Sequence, residues 1–430
     1  MMRFYLKSFA TIFLTILVFT FFLLCLVSTA DSSILRVPSE YENIQSAIDA
    51  SKDGDEVLVA DGTYTGNDNK NLDFAGKAII VRSENGPEHC VIDCENNGRG
   101  FYFHSGEQNT SVVEGFTIQN GYIADAPHIT DAPPHWSLNS GAGILCDSSS
   151  PTIANNTITG CEALYSGGGI CCFHSSTVIT NNIITNNLAY MGSGIYCFES
   201  SPIIDDNTIM DNLATQSGGG ISCGDSSPII NSNTITGNSA IAGGGIECYH
   251  YASPVITNNV ISNNSAGKMG GGVFCYDTST PVITNCTIIG NLSSDPRSSG
   301  IYCGHFAAPV VVNTILWNKR REVFLETSSI TIRYSNVKGG YDGEGNISES
   351  PLFFAPRKNY HLRPASPCIG AGTNVGVPSF DKDGNPRPNP PGSNCDIGAY
   401  ESRLGQPRGA KLAPKMTEKL SSTWGKIKSF

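Results

Sequence analysis

The tetrapeptide GILC at residues 143–146 recurs six times further along this chain, as GICC, GIYC, GISC, GIEC, GVFC and GIYC. The copies end at Cys172, Cys197, Cys223, Cys248, Cys275 and Cys303, so the steps between cysteines are 26, 25, 26, 25, 27 and 28 residues. A repeat of this length indicates one small structural unit stacked on copies of itself, because each copy buries a face that it cannot bury alone. The sequence therefore predicts a solenoid.

Each repeat contains three short apolar segments, and each segment matches its own copy one repeat away. The glycine-led tetrapeptide is one of them; the other two centre on Ile153, Ile179, Ile204, Ile230, Ile256, Ile283 and Val311, and on Ile158, Ile184, Ile209, Ile235, Ile261, Ile288 and Ile315. No helical period lies between the segments, so parallel pairing between copies is favoured over hairpins. We predict an all-β fold, a single parallel β-helix of three strands per coil and about ten coils, with neighbouring coils about 4.8 Å apart.

Cysteine and asparagine recur at fixed positions for reasons of packing. Each repeat cysteine follows an inward-facing Ile or Val by two residues, so alternation turns the seven thiols into the core as small apolar fillers. Asparagine tolerates the left-handed backbone of tight turns and can hydrogen-bond along a stack. We therefore predict two asparagine ladders, formed by Asn156, Asn182, Asn207, Asn233, Asn259 and Asn313, and by Asn187, Asn212, Asn238, Asn264, Asn291 and Asn318. The better disulfide candidates lie elsewhere, Cys368 with Cys395 and Cys90 with Cys94, although spacing does not fix the connectivity.

The two ends of the chain differ from the repeats. Arg3 and Lys7 precede an apolar run at residues 9–27, a pattern typical of a secretory signal, cleaved here after Ala30; the run is also long enough for an uncleaved membrane anchor. Ile44, Ala47 and Ile48 have helical spacing, and a short helix there would cap the open end of the stack. The predicted division is a signal peptide at 1–30, a cap and irregular first coils at 31–121, an inserted loop at 122–139, regular repeats at 140–320, final coils and a closing segment at 321–402, and a basic, disordered tail at 403–430.

Charge is distributed unevenly along the chain. Residues 31–402 contain 18 Lys and Arg against 37 Asp and Glu, a net charge of −19, whereas the last 28 residues contain seven basic side chains and one acidic one. The field of the body repels phosphates, so nucleic acid is excluded as a partner. The tail is expected to be solvated, with contact to an anionic membrane or wall polymer as the alternative.

A row of polar side chains lies two positions after the repeat cysteines: Ser148, His174, Glu199, Asp225, His250, Asp277 and His305. In a stacked register, His250 lies one coil from both Asp225 and Asp277. Carboxylates at about 5 Å favour a protonated imidazole or could hold a cation such as calcium. The sequence does not identify a set of metal ligands, and a solvated turn is the simpler explanation of the row. We take His250, Asp225 and Asp277 as candidate catalytic residues.

Aromatic residues flank the same cysteines and are candidates for binding a substrate. Alternation turns the positions on either side of the cysteine outward, which predicts exposed rings at Phe173, Tyr196, Phe198, Tyr249, Phe274, Tyr276 and Tyr302. Exposed rings in a line suit the apolar faces of sugars in a linear polymer. Packing between coils and β-propensity alone explain them equally well.

The sequence contains candidate residues for two chemistries on a polysaccharide. A lyase needs a basic side chain near carboxylates, and Lys268 and Arg297 lie in the turn before the third strand. Lys268 precedes Asp277 by nine residues, up to about 30 Å of extended chain, so the two need not converge. An inverting hydrolase needs two carboxyl groups roughly 6.5 to 9.5 Å apart. Asp205, Asp206 and Asp211 are close enough in sequence to be considered, but acidic residues at these turn positions are ordinary variation between coils. DKDGN at 381–385 starts like a calcium loop and then departs from it, so it is interpreted as a structural turn.

The N-terminal YENIQSAIDASKDGDEVLVADGTYTG (residues 41–66) and the coil motifs NNTITG and GGGI resemble those of secreted right-handed parallel β-helix proteins of the pectin-lyase-like superfamily. The ending, with SPLF (350–353), YHLRPASPCIGAG (360–372), DKDGNPRP (381–388) and DIGAYE (396–401), is similar to the closing segment of bacterial surface-anchored members. The resemblance implies export and a right-handed coil. It does not imply one reaction, because the superfamily includes lyases, hydrolases, epimerases and adhesins.

The sequence therefore favours an exported, monomeric β-helix, secreted or at the cell surface. It is expected to bind extracellular polysaccharide through an aromatic and acidic flank. The alternative is a polysaccharide lyase or other glycan-degrading enzyme of the same superfamily. Whether the chain is an enzyme stays open at this point.

Overall fold

The computed structural model describes residues 32–123, 138–296, 298–356 and 358–405. The predicted signal peptide, most of the predicted inserted loop, Arg297 and most of the basic tail lie outside these residues. Within the described ranges, no helix is long and apolar enough to cross a membrane.

Parallel sheets A to D run along the solenoid, and a complete coil passes through them in the order A, B, D, C. Among the described residues, sheet A has twelve strands: Ile34–Val37, Glu56–Val59, Ile80–Ser83, Val112–Glu114, Thr152–Ala154, Val178–Thr180, Ile203–Asp205, Ile229–Asn231, Val255–Thr257, Val282–Thr284, Val310–Val312 and Thr331–Arg333. Sheet B, counted over the same ranges, has eleven: Gly62–Tyr64, Cys90–Asp93, Thr117–Gln119, Thr157–Thr159, Ile183–Thr185, Thr208–Met210, Thr234–Thr236, Val260–Ser262, Thr287–Ile289, Ile315–Trp317 and Asn336–Val337.

Sheets C and D complete each coil. In the part of the chain that the structure describes, sheet C has nine strands: Phe101–Phe103, Ile144–Asp147, Ile170–Phe173, Ile195–Phe198, Ile221–Gly224, Ile246–Tyr249, Val273–Cys275, Ile301–Gly304 and Val323–Glu326. Sheet D has seven there: Tyr122–Ile123, Glu162–Ala163, Leu188–Met191, Leu213–Ser217, Ser239–Ala242, Ser265–Met269 and Leu292–Ser293. The all-β parallel β-helix is confirmed, and sheet D adds a fourth strand to the three predicted per coil. Its strands pair irregularly, with register shifts near Ala189, Leu213 and Ala240.

Equivalent side chains of successive coils lie over one another. The seven repeat cysteines pair in one continuous register from Cys146 to Cys303, and all are fully buried. The predicted column of buried thiols is therefore confirmed. The disulfide predictions are wrong, because Cys90, Cys94 and Cys368 are free thiols; the sulfur of Cys368 accepts a hydrogen bond from the Asn336 side chain at 3.1 Å.

The asparagines form the two predicted ladders. Asn233 is typical: its Oδ1 accepts the backbone N–H of Asn207 at 2.9 Å, and its Nδ2 donates to Asn259 Oδ1 at 3.0 Å. The second ladder ends on a carboxylate, since Glu322 accepts both the backbone and the side-chain N–H of Asn318, at 2.7 and 2.6 Å. The buried side-chain amides thus satisfy hydrogen-bonding groups in the turns of neighbouring coils.

One member of the first ladder was assigned wrongly. The repeat that contains Asn313 is one residue out of phase with the predicted alignment, because Thr284 pairs with Val312 in sheet A. Thr314 therefore takes the ladder position, and its hydroxyl accepts the backbone N–H of Cys286 at 3.3 Å. Asn313 instead donates to the carbonyl of Thr373 at 2.8 Å.

Different elements cover the first coil and one side of the solenoid. Helix α1 (Ile44–Ala50) buries Ile44, Ala47 and Ile48 completely, as the spacing predicted, and a single 3-10 turn follows at Asn67–Asn69. Residues 351–405, which we call the closing segment, begin with an antiparallel pair, Phe353–Ala355 and Asn359–Leu362. The closing segment then packs on the outside of sheet B, where it covers Val260, Ile289 and Ile315.

Candidate functional site

The turn from sheet C to sheet A places one polar side chain per coil on the surface. All members of the predicted row have positive φ, between 46° and 56°: Ser148, His174, Glu199, Asp225, His250, Asp277 and His305. We call this row the turn stripe. The backbone N–H of Asp225 donates to the carbonyl of His250 at 2.8 Å, which holds neighbouring turns in register. The stacking expected from the sequence is therefore present.

Histidines contact carboxylates of neighbouring coils along the turn stripe. His174 Nδ1 lies 3.1 Å from Glu199 Oε2. His250 lies between two acids, with Nδ1 3.9 Å from Asp225 Oδ2 and Nε2 3.4 Å from Asp277 Oδ2. His305 Nδ1 reaches the other oxygen of Asp277 at 3.5 Å. The side chains keep roughly a third to a half of their surface in solvent, so the row is open to a ligand.

Three coils contain one extra residue in this turn, and two of the extra residues are aromatic. Tyr251, Thr278 and Phe306 follow the stripe residues with positive φ, and the backbone N–H of Tyr251 donates to the carbonyl of Asp277 at 3.0 Å. Tyr251 and Phe306 are 68% and 67% exposed. Neither ring was predicted from the sequence, although the repeat of 27 residues from Cys248 to Cys275 pointed to the insertion at Tyr251.

Of the aromatic residues predicted to bind substrate, Tyr276 is the one that fits an open site best. Its ring is 37% exposed and stacks on the imidazole of His305, with centroids 5.1 Å apart. Phe198 and Tyr249 are half-buried. The Tyr249 ring folds back over Gly224, and its hydroxyl lies 2.7 Å from that of Tyr196.

The expectation of exposed rings is wrong at four positions: Phe173, Tyr196, Phe274 and Tyr302 are only 1% to 6% exposed. They do point out of sheet C, but the chain leaving sheet D folds over them at glycines with positive φ. A Cβ at Gly192 would lie 2.8 Å from that of Tyr196, and one at Gly270 2.9 Å from that of Phe274. The rings form small clusters outside the main core and are closed to a ligand.

Lys268, one of the two predicted basic residues, lies on a different sheet from the strands that lead into the turn stripe. Lys268 is exposed on sheet D, and the glycine turn and the strand Val273–Cys275 separate it along the chain from Asp277. Arg297 lies outside the described residues. Across the described ranges, no group of three or more His, Cys, Asp or Glu side chains is arranged to hold a metal ion.

A cavity of about 480 Å³ lies between sheet A and the closing segment, and its lining includes Asp205, Asp206, Phe380, Lys382 and Asp383. The Lys382 ammonium donates to the carbonyl of Ser232. Burial lowers the pKa of Lys382, and the charges of Asp206, Asp383 and Asp205 act in the opposite direction. The sequence did not predict this group of charged residues, because Lys382 is far along the chain from Asp205 and Asp206.

The motif that contains Lys382 is a hydrogen-bonded turn. Asp381 Oδ1 accepts the backbone N–H groups of Asp383 and Asn385, at 2.9 and 2.7 Å. Its other oxygen accepts the N–H of Glu401 at 2.7 Å. The interpretation of DKDGN as a structural turn is therefore confirmed, and the turn is what positions Lys382.

Comparison with known proteins supports the fold. The sequence profile of the family described as right handed beta helix region matches residues 117–253 and 193–350, more than half of the chain. The chain belongs to this family, and its coil is right-handed as predicted. No curated protein matches it significantly.

Solved structures with the same architecture include pectate lyase Pel9A, which is 14% identical with a TM-score of 0.50 over 87% of this chain and 97% of that chain. A mannuronan C-5 epimerase A-module from Azotobacter vinelandii is 14% identical, covering 72% of this chain and 94% of that chain, with a TM-score of 0.33. The catalytic unit of an alpha-1,3-glucanase from Streptomyces thermodiastaticus is 11% identical over 75% and 68%, also with a TM-score of 0.33. At this level of identity the likeness extends to the fold alone.

Proposed function

We propose that this chain is an exported β-helix that binds an extracellular polysaccharide along the turn stripe. The observation that carries the proposal is the alignment of exposed rings with exposed hydrogen-bonding groups. Tyr251 and Phe306 lie two coils apart, about 10 Å along the axis, and Tyr276 stacks on His305 between them. Rings offer flat apolar faces to sugars, while the histidines and carboxylates offer partners for hydroxyl groups.

The shape of the stripe favours a polymer over a small ligand. The stripe is an open row that continues from coil to coil, whereas small-molecule sites are concave and enclose most of their ligand. A linear glycan lying along the axis would meet a similar set of groups at every coil. The structural neighbours include a pectate lyase, an epimerase of mannuronan and a glucanase, which agrees with a polysaccharide as the partner.

Location and assembly are part of the proposal. The pattern of residues 1–30 supports export, and the terminal segments would hold the protein at the surface. The fourteen described cysteines from Cys90 to Cys395 do not oppose export, because thirteen have no exposed surface and Cys161 is only 1% exposed, which shields the thiols from oxidants in solution. The negative body excludes nucleic acid, and the solenoid, with its first coil capped by helix α1, is expected to be a monomer.

The double variant Tyr251→Ala with Phe306→Ala tests the binding site. Purified protein is measured for retention on a panel of immobilised polysaccharides. We expect the double variant to lose about tenfold or more in affinity, because aromatic side chains that become buried on binding contribute much of the binding energy. Tyr190→Ala is the matched control, since Tyr190 is a similarly exposed tyrosine on sheet D. Equal retention of the double variant and the wild-type chain would exclude the turn stripe as the site.

A second candidate function, a glycan-cleaving enzyme, is favoured by the cavity at the closing segment. A lysine with a lowered pKa beside carboxylates is the kind of group that removes a proton in a lyase reaction. Incubation with uronate polymers, with and without calcium, would then produce ultraviolet-absorbing unsaturated chain ends. Lys382→Gln should abolish such activity while Lys268→Gln leaves it intact. Intact polymer after prolonged incubation would remove this candidate and leave binding as the function.

A further inference from the structure

The middle of the solenoid contains no strongly basic side chain. Between Arg99 and Lys268 there are 168 residues without a single Lys or Arg, and the same stretch contains twelve Asp and Glu. It includes the coils that supply His174, Glu199, Asp225 and His250 to the turn stripe. The charged and titratable groups that these coils supply to the stripe are therefore carboxylates and histidines.

The carboxylates of the stripe are available to a ligand. Glu199 is half exposed, and Asp225 and Asp277 keep about a third of their side-chain surface in solvent. Among the described residues, the ion pairs of these three acids are with histidines, and none is with a Lys or an Arg. Each acid thus retains a free face toward solvent at a spacing of one or two coils.

The far edge of sheet A has the same sign of charge. Asp205 ends the strand Ile203–Asp205 and Asp206 follows it, so acids lie on both sides of the outer face of sheet A in this coil, with Lys382 of the closing segment beside Asp205 and Asp206. Clefts and faces lined with one sign of charge attract ligands of the opposite sign and repel those of the same sign. A polymer with a carboxylate on every sugar would be repelled along the turn stripe, where Glu199, Asp225 and Asp277 lack a Lys or Arg partner among the described residues.

Resting on the proposed function, we infer that the polysaccharide is an amino-sugar polymer with free amino groups. Its ammonium groups would donate hydrogen bonds to Asp225, Asp277 and Glu199, and charge-assisted hydrogen bonds of this kind are the stronger ones. Tyr251, Tyr276 and Phe306 would contact the sugar faces between them. The acids of the stripe lie one or two coils apart, and the polymer carries its ammonium groups at a regular spacing along its chain.

The test compares three oligosaccharides of equal length by titration calorimetry at fixed pH: a glucosamine oligomer, its N-acetylated counterpart and an oligogalacturonate. We expect the glucosamine oligomer to bind about tenfold tighter than the neutral one. We also expect its affinity to fall as salt is raised, because salt screens exposed charges. Asp225→Asn with Asp277→Asn should remove the difference between the two, and asparagine tolerates the positive φ at both positions. Glu88→Gln, an exposed acid in the first coils, is the matched control.

The outcomes separate this inference from the proposed function. Equal affinity for the glucosamine and N-acetylated oligomers, or tighter binding of the galacturonate, overturns the inference while glycan binding at the stripe stands. A glucosamine preference that Asp225→Asn with Asp277→Asn leaves unchanged places the charge recognition elsewhere and also overturns it. Failure of all three oligomers and of the immobilised panel to bind overturns the proposed function itself.

Discussion

Glu247 shows how packing outside the main core changes the chemistry of a single residue. Its side chain points out of sheet C but is buried, and it accepts a hydrogen bond from the Ser222 hydroxyl at 2.6 Å. Burial raises the pKa of Glu247 from 4.5 to about 7, since the ionised form loses its hydration. The pKa of Glu247 is higher in the folded protein than in the unfolded chain. Its contribution to stability is therefore complete below pH 4.5 and is lost as the pH rises to about 7.

Glu247→Gln should therefore change how stability depends on pH. Glutamine stays neutral, so the variant avoids a buried charge that costs about 3 kcal/mol above pH 7. Relative to wild type, the urea midpoint of the variant should rise between pH 4.5 and pH 8. Denaturation curves at several pH values check this, and parallel profiles for the two proteins would contradict it.

Gly218 has a conformation and a position that both require glycine. Its φ is +65°, and a Cβ there would lie 2.5 Å from the Cβ of Ser222. Gly54 also has a positive φ, of +90°, but has open space around it. Comparing Gly218 with Gly54 therefore separates the cost of left-handed backbone strain from the cost of steric overlap around an added Cβ.

Gly218→Ala is expected to destabilise the fold more than Gly54→Ala does. Both substitutions carry about 1–2 kcal/mol of left-handed strain, and Gly218→Ala adds about 1–3 kcal/mol of overpacking. Thermal denaturation of the two variants measures the difference. Equal losses would mean that the chain leaving sheet D can move away from sheet C.

At the scale of elements, the asparagine ladders join neighbouring coils more specifically than the apolar core does. Asn238 accepts the backbone and side-chain N–H of Asn212, at 3.0 and 2.9 Å. It donates to the carbonyl of Ile209 and to Asn264 Oδ1, at 2.9 and 3.0 Å. All of these groups are shielded from water, so no solvent replaces a lost partner.

Asn238→Ala should cost about 2–5 kcal/mol in the free energy of unfolding, because several buried polar groups lose their partner at once. Asn181→Ala is the control: Asn181 is exposed and has positive φ, so its loss should cost about 1 kcal/mol. Chemical denaturation of both variants gives the comparison. Similar effects would show that the ladder contributes little beyond turn geometry.

The elements found from the sequence are those whose apolar residues alternate. Ile204, Ile209 and Cys223 mark sheets A, B and C in one coil, and each lies in the core as predicted. The strand Leu213–Ser217 of sheet D has no such alternation and pairs irregularly, so no period marked it. Tyr276 is exposed and Tyr196 is buried because a neighbouring turn folds over the Tyr196 ring. Alternation within one strand does not predict such a contact.

At the scale of the whole molecule, the closing segment ties several coils together from outside. Arg387 is its anchor: the side chain is fully buried, pairs with Glu401 at 3.1 Å and donates to Asn258 Oδ1 at 3.3 Å. Burial and the nearby Asp396 raise the pKa of Glu401 to about 7, and Arg387 opposes this shift. Lys382 reaches the coils from the same segment, and this long-range contact could not be predicted from one sequence.

Arg387→Met should loosen the closing segment, since the buried Glu401 carboxyl loses its ion-pair partner and must either stay charged or take up a proton, at a cost of about 3–5 kcal/mol. Limited proteolysis should then cut within residues 351–405 while the coils stay intact. Arg387→Met with Glu401→Gln should recover part of the resistance, because both charges are gone. Arg363→Met, which removes an exposed arginine, is the control. Unchanged resistance of Arg387→Met would show that the ion pair does not hold the segment.

The central claim, that the glycan lies along the turn stripe, is tested most directly by hydroxyl-radical footprinting of the exposed aromatic rings with and without a bound glucosamine oligomer. Oxidation of Tyr251, Tyr276 and Phe306 should fall when the oligomer binds, while Phe380 at the closing-segment cavity and Tyr190 on sheet D are oxidised as before. Protection of Phe380 with no change at the three stripe rings would contradict it.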